Sequence, residues 1–263
     1  MPRPVRSLLL KSFARKYEID LAEAERPLDQ YTSLHEFFTR KLRPGARSVA
    51  SGADAVVAPS DGVVCDAGVV SAGKLLEAKG SAFTLSDLLA DDELAARLEG
   101  GPYLVTYLSP RDYHRVHAPV SGTITRWTHI PGRLFPVGSR SIAREVGLFA
   151  RNERFVTVID GAAGLSVVVM VAAVGVGHIT ASYDVEVATH APGFSTGGVR
   201  RKSFSDPPGI RRGDELGVFN LGSTTIAVFE PGRVVLEKLA VGSTIRMGSA
   251  VGRLVPSSSG VAS

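Results

Sequence analysis

Only one cysteine, Cys65, occurs in the 263 residues. A single thiol excludes an intrachain disulfide and a cysteine metal cluster. It points to a reducing compartment, or to a membrane face where disulfides are not used. Cys65 lies in an apolar, strand-like run and reads as a small core residue. Long hydrophobic runs are also missing. The longest, Val167 to Gly177, has 11 residues, against about 20 for a membrane-spanning helix. Its valines and glycines predict a buried strand. Leu8, Leu9 and Leu10 follow basic residues near the N-terminus, but they fall short of the ~7–15 apolar residues of a signal-peptide core. No cluster interleaves aromatic with basic side chains, which argues against nucleic acid as a partner. The sequence also lacks Gly-x-Ser-x-Gly, the strained elbow of α/β-hydrolases.

What is present describes a folded chain. Hydrophobic residues make up 44% and charged residues 21%, as in ordinary globular proteins. The 28 glycines and 15 prolines predict many turns and a strand-rich body. Lysine and arginine exceed the acids by 30 to 26, a mild excess that suits an anionic membrane surface or a phosphate-bearing substrate.

The pattern divides near residue 43. In residues 1–43, Val5, Leu8, Leu9 and Phe13 follow helical spacing among Arg3, Arg6, Lys11 and Arg15. Leu10 falls off that stripe and Lys16 falls on it. Such a helix either lies in a membrane interface or docks on the protein's own body. A second helix is predicted over Ser33 to Leu42, where Ser33 and Glu36 have capping-box spacing. A third is predicted over Ser86 to Leu98. Residues 44–263 read mainly as strands: Ala55–Ala58, Gly62–Ala67, Tyr103–Leu108, Gly122–His129, Arg154–Ile159, Leu165–Ala173, Leu216–Phe219, Thr224–Phe229 and Arg233–Leu236. Strands follow strands, so the fold class is α+β, with N-terminal helices followed by a predominantly antiparallel sheet body. Residues 188–212, with Arg200, Arg201, Lys202, Arg211 and Arg212, read as a long basic loop, either solvated or gating a substrate.

Three segments could carry chemistry. Pro59-Ser60-Asp61-Gly62 is a turn that fixes an aspartate between apolar strands. His114 and His117 stand three apart. Zinc lacks a convincing third ligand there, so no metal is assigned, and general acid–base work is the better functional reading. In an extended segment this spacing turns the two rings to opposite faces, whereas in a turn they could converge. Leu221-Gly222-Ser223-Thr224 joins two apolar strands. It is either a plain hairpin turn or a strained peptide whose hydroxyl attacks its own preceding carbonyl. Asp61, His117 and Ser223 could also form a relay acting on an external ester, since such triads occur in any chain order.

Taken together and in order, the motifs resemble the phosphatidylserine decarboxylase family. They are Tyr31-x-Ser33-Leu34-x-Glu36-Phe37-Phe38-Thr39-Arg40 with Pro44-Gly45-Ala46-Arg47; Pro59-Ser60-Asp61-Gly62; Tyr107-Leu108-Ser109-Pro110-Arg111-Asp112-Tyr113-His114-Arg115-Val116-His117-x-Pro119; Phe149-Ala150-x-Asn152-Glu153-Arg154; Gly213-Asp214-Glu215-Leu216-Gly217-x-Phe219; and Leu221-Gly222-Ser223-Thr224. They span residues 13 to 254. Departures are Ser60 at the variable position, His178 where many relatives have serine, and Arg211-Arg212 where a lysine is common.

The resemblance implies a self-processing triad of Asp61, His117 and Ser223, with cleavage between Gly222 and Ser223 into a β chain, 1–222, and an α chain, 223–263. It implies that Ser223 becomes a covalent pyruvoyl group, which forms a Schiff base with phosphatidylserine. The products are phosphatidylethanolamine and carbon dioxide. His114 is linked to the decarboxylation, and Tyr107 and His178 to substrate binding. Gly242-Ser243-Thr244 repeats the tripeptide but lacks the upstream Gly-Asp-Glu-Leu-Gly strand, so Ser243 is read as a turn residue. The implied partners are a phospholipid substrate, an anionic membrane surface on the cytoplasmic face of the cell membrane, the two chains of one precursor, and a second copy as homodimer. The competing expectations are a serine hydrolase, a non-enzymatic membrane-binding β-domain, and a pyruvoyl decarboxylase for a soluble amino acid.

Overall fold

A computed structural model describes residues 3–76, 82–137, 147–174, 178–191, 194, 197–220 and 223–256. Helix α1 (Arg3–Lys16), a 3-10 turn (Leu28–Gln30) and helix α2 (Leu34–Phe38) come first. Strands β1 (Ala55–Val57), β2 (Gly62–Val69), β3 (Lys74–Leu76) and β4 (Ala82–Thr84) follow, then helices α3 (Leu85–Leu89) and α4 (Asp92–Arg97). Next are β5 (Pro102–Leu108), β6 (Arg115–His117), β7 (Gly122–Ile130) and helix α5 (Leu148–Arg151). The remaining elements are β8 (Arg154–Gly161), β9 (Gly164–Ala172), β10 (Ile179–Ala181), β11 (Arg200–Ser203), β12 (Gly209–Ile210), β13 (Glu215–Phe219), β14 (Ser223–Phe229), β15 (Val234–Leu236), β16 (Thr244–Ile245) and β17 (Ala250–Leu254).

Nine strands form one sheet along the path β11-β7-β8-β9-β14-β5-β2-β16, with β12 also paired to β7. Its central pairings are antiparallel. Two three-stranded sheets, β1-β17-β15 and β10-β13-β6, flank it. The large sheet is buried on both faces. Along β9, Val168, Met170 and Ala172 enter one apolar cluster, while Val167, Val169 and Val171 enter another. Along β14, Ala227 and Phe229 alternate in the same way with Ile226 and Val228. A strand buried on both sides needs apolar residues at every position, which is why 167–172 reads as an unbroken run.

The structure bears out the α+β reading and refines several elements. Helix α2 stops at Phe38 rather than Leu42, because the Arg115 guanidinium takes the Thr39 carbonyl at 3.2 and 3.0 Å in place of a further helical turn. Its N-terminus is capped as expected: the Ser33 hydroxyl accepts from the Glu36 amide at 3.0 Å. The third predicted helix is two. Ala90 turns left-handed, and Asp91 caps α4 by accepting from the Leu94 amide at 2.9 Å. The basic segment 188–212 contains the edge strands β11 and β12 on β7, so it is not one loop. Its charges are engaged within the chain: Lys202 pairs with Asp184 at 2.9 Å, and Arg212 donates to the Ala55 and Ala50 carbonyls.

Helix α1 forms where the spacing predicts a helix, and it docks on the protein's own body. Val5, Leu8 and Leu9 face outward, Leu8 at 71% exposure, while Leu10, off that stripe, is fully buried with Ala14. Phe13, at the end of the stripe, packs on Tyr17, Phe37 and Phe38, so the helix docks through Leu10, Phe13 and Ala14. None of the described helices is long and apolar enough to cross a membrane.

Candidate active site

Ser223 opens β14, in register with Leu108 of β5 and Ala172 of β9. It is fully buried, and its hydroxyl has no hydrogen-bond partner among the described residues. Side chains two apart share a strand face, so Ser223 shares one with Thr225, Ala227 and Phe229. Thr225 bonds the Ser60 hydroxyl at 2.9 Å, which brings the Asp61 turn beneath this face. Gly222 and Leu221 lie outside the described residues.

The Asp61 turn is built by backbone fit. At Gly62, φ is +147° and a Cβ would sit 2.3 Å from the Tyr107 carbonyl oxygen, so only glycine passes β5 at this point. The Asp61 carboxylate accepts from Arg47 Nε at 2.8 and 3.1 Å, from Arg47 Nη2 at 2.5 Å, and from the Met247 amide at 2.8 Å. Arg47 also reaches Glu23 at 2.8 Å. Burial works against the Arg47 charge, but the two carboxylates outweigh it and raise its pKa. Arg47 was quoted within a motif, and nothing in its spacing tied it to Asp61.

His117 sits in β6, and its amide donates to the Pro59 carbonyl of the same turn at 2.7 Å. Its ring is not bonded to Asp61. Nδ1 lies 2.8 Å from the Gly213 carbonyl oxygen, and Nε2 lies 3.3 Å from the Tyr113 hydroxyl. A carbonyl oxygen only accepts, so Nδ1 carries the proton and Nε2 is the basic nitrogen. Burial lowers the His117 pKa, while the nearby Asp61 charge acts in the opposite sense. Burial also pushes the Tyr113 phenol up to about 12, so it stays protonated and can donate to Nε2.

His114 precedes β6 and faces the N-terminal segment. Its Nδ1 donates to the Asp112 carbonyl at 2.8 Å, and Phe38 packs on the ring at a centroid distance of 4.0 Å. Nε2 is buried without a hydrogen-bond partner among the described residues. Burial pushes the pKa down to about 3, helped by the nearby Arg40 cation. The two histidines thus have separate surroundings.

The other expected residues divide. Tyr107 is half-buried and packs against the apolar cluster on the sheet face opposite Ser223, beside Cys65. His178 is tied to the end of β13: its carbonyl accepts from the Asn220 amide at 3.1 Å and from Asn220 Nδ2 at 2.8 Å. Burial lowers its pKa, as do His35 and His190 nearby. Ser243 sits in a surface turn, donating to the Ala240 carbonyl at 2.6 Å. The Asn152-Glu153-Arg154 motif is a clamp beside the site. Asn152 Nδ2 donates to the Ala172 carbonyl at 2.8 Å, and Glu153 joins buried His129 to His190.

Comparison with known proteins identifies the family. A profile of the phosphatidylserine decarboxylase family matches residues 34–253, and the chain belongs to that family. Its relatives are named as proenzymes. The phosphatidylserine decarboxylase proenzyme of Anaeromyxobacter sp. (strain K) is 45% identical over 253 residues, 95% of this chain and 88% of the relative. That of Myxococcus xanthus (strain DK1622) is 43% identical over 96% of this chain and 89% of the relative. That of Saccharophagus degradans is 39% identical over 96% and 88%.

Proposed function

We propose that this chain is a precursor that converts its own Ser223 into a pyruvoyl group and then decarboxylates phosphatidylserine to phosphatidylethanolamine and carbon dioxide. The observation that carries the reading is the buried, unpartnered hydroxyl of Ser223 at the head of a central strand, in a family of proenzymes.

In the first reaction His117 Nε2 takes the Ser223 hydroxyl proton. The oxygen attacks the Gly222 carbonyl carbon, the C–N bond breaks, and an ester joins the two segments. Loss of the Ser223 α-proton expels the Gly222 carboxylate and leaves dehydroalanine. Tautomerisation and water then replace its nitrogen with oxygen and release ammonia. The Asp61 charge favours the imidazolium that forms on His117, and Arg47 holds that carboxylate in place. Residue 223 suits the resulting carbonyl. Its face of the sheet also carries Thr106, whose buried hydroxyl has no hydrogen-bond partner among the described residues.

The pyruvoyl group supplies an electron sink for the α-carbon once carbon dioxide departs. The chain supplies the proton traffic. His114 Nε2, uncharged at neutral pH, is suited to take a proton from the substrate ammonium. As imidazolium it is acidic enough to give that proton to the α-carbon. The outward face of α1, with Val5, Leu8 and Leu9 beside exposed Lys11, Arg15 and Lys16, suits peripheral binding to the anionic cytoplasmic face of the cell membrane.

Electrospray mass and a denaturing gel test the reading. Purified protein should be two chains, the shorter one residues 223–263 with a keto cap, held together by the two-sided pairing of β14. Ser223→Ala should be one inactive chain, and Ser243→Ala should match the parent. An intact, unmodified chain that releases carbon dioxide from the lipid would refute the reading.

A further inference from the structure

Arg40 follows α2 and is buried at 4% exposure. Its Nη2 donates to the Arg111 carbonyl at 2.8 Å and reaches the Asp112 carbonyl at 3.5 Å. Asp112 offers that same oxygen to His114 Nδ1 at 2.8 Å. The guanidinium and the imidazole therefore meet on one backbone oxygen. From the other direction, Arg115 holds the Thr39 carbonyl. Segment 38–40 is thus bonded to segment 111–115 on both sides of His114, with the Phe38 ring laid on the imidazole. Burying a guanidinium is costly, and burial lowers the Arg40 pKa. Arg40 Nε and Nη1 also find no partner among the described residues. The fold keeps this cation buried, with its guanidinium over the Phe37 ring at 5.3 Å.

We propose that Arg40 is a positioning residue for the decarboxylation step: through the carbonyls of Arg111 and Asp112 it fixes the turn that presents His114, and so fixes which ring nitrogen stays free. This rests on the role given to His114 above. A carbonyl that must accept from Arg40 and from Nδ1 cannot rotate to face Nε2. The basic lone pair therefore always points away from the turn. The cation adds a second effect, because it disfavours a proton on the ring. The remaining charges around the turn are engaged elsewhere. The Asp112 carboxylate accepts from the Ser109 amide and hydroxyl, Arg111 lies 3.8 Å from Asp112, and Arg115 pairs with Glu215 at 2.8 Å. Among the described residues Arg40 makes no hydrogen bond to Asp61, His117 or Ser223; the Asp61 and Glu23 charges favour its cation only through space, while Arg47 makes the bonds to Asp61, so self-cleavage should survive its replacement.

The test uses full-length Arg40→Met and Arg40→Lys beside the parent, with cleavage read by mass and carbon dioxide release measured on vesicles across pH. Both variants should cleave to completion, which also reports that they fold. For both, kcat should fall by ~10–100-fold, the scale of a misplaced catalytic group, with KM little changed. In Arg40→Met the acidic limb of the kcat profile should move to higher pH, because the cation that opposed imidazolium is gone. In Arg40→Lys the limb should stay. Unchanged kcat, loss confined to KM, or failure of both variants to cleave would overturn the proposal. If the parent itself neither cleaves nor releases carbon dioxide, the proposed function fails instead.

Discussion

Replacing Arg47 with methionine removes the main counter-charge of Asp61. The two side chains are 7% and 6% exposed and meet at 2.5 Å, with a second approach at 2.8 Å. Deleting one partner of a buried pair leaves the other charge unpaired, at a cost of about 3–5 kcal/mol. The lower figure applies here, because the Met247 amide still donates to Asp61 at 2.8 Å. The background should be Ser223→Ala, so that unfolding involves one chain and the two-state analysis holds. With a urea slope of about 3 kcal/mol per M, the midpoint should fall by roughly 1 M. Adding Asp61→Asn to Arg47→Met removes the stranded charge, because an amide oxygen can still accept from Met247. The double variant should then recover at least ~1.5 kcal/mol relative to the sum of the single changes. A shift in Arg47→Met below ~1 kcal/mol, or strict additivity, would refute the view that Arg47 holds a buried Asp61 charge.

Three further outcomes are expected. His114 has its pKa pushed down from 6.5 to about 3, so between those values the unfolded chain binds a proton that the folded chain refuses. Stability is therefore full above pH 6.5 and drains as pH falls towards 3, by up to ~1.4 kcal/mol per pH unit. His114→Gln should flatten that slope, and an unchanged slope of urea midpoint against pH would contradict the assignment. Gly62→Ala should prevent self-cleavage, because its Cβ would meet the Tyr107 carbonyl at 2.3 Å; normal cleavage on a gel would count against the fit described for this turn. Leu8→Asp with Leu9→Asp should reduce co-sedimentation with anionic vesicles while leaving cleavage intact. Equal sedimentation would remove α1 from the membrane contact.

The reading of the sheet succeeded where burial imposes a local pattern. Strands β9 and β14 are covered on both faces, so each announces itself by an apolar run. Strand β11 is an edge strand carrying Arg200, Arg201 and Lys202, charges that protect a sheet edge but erase the alternation that marks a strand. Strand β6 has three residues, two of them basic or titratable, and its place is set by pairing to β13. The spacing in helix α1 leaves open what covers its apolar stripe, because a stripe of leucines looks the same whether protein or another apolar phase covers it. Tyr107 was grouped with the site through its motif, yet strand parity turns it to the face opposite Ser223.

Sequence alone determined the positions of most strands and the α+β class, because each depends on residues close together along the chain. Tertiary structure decided which groups serve which. It matched Arg47 to Asp61, the Gly213 carbonyl to His117, and Phe38 with Arg40 to His114. Periodicity cannot encode such pairings. They join segments up to 96 residues apart, and they are selected by which polar groups the packed sheets leave buried together and in need of a partner.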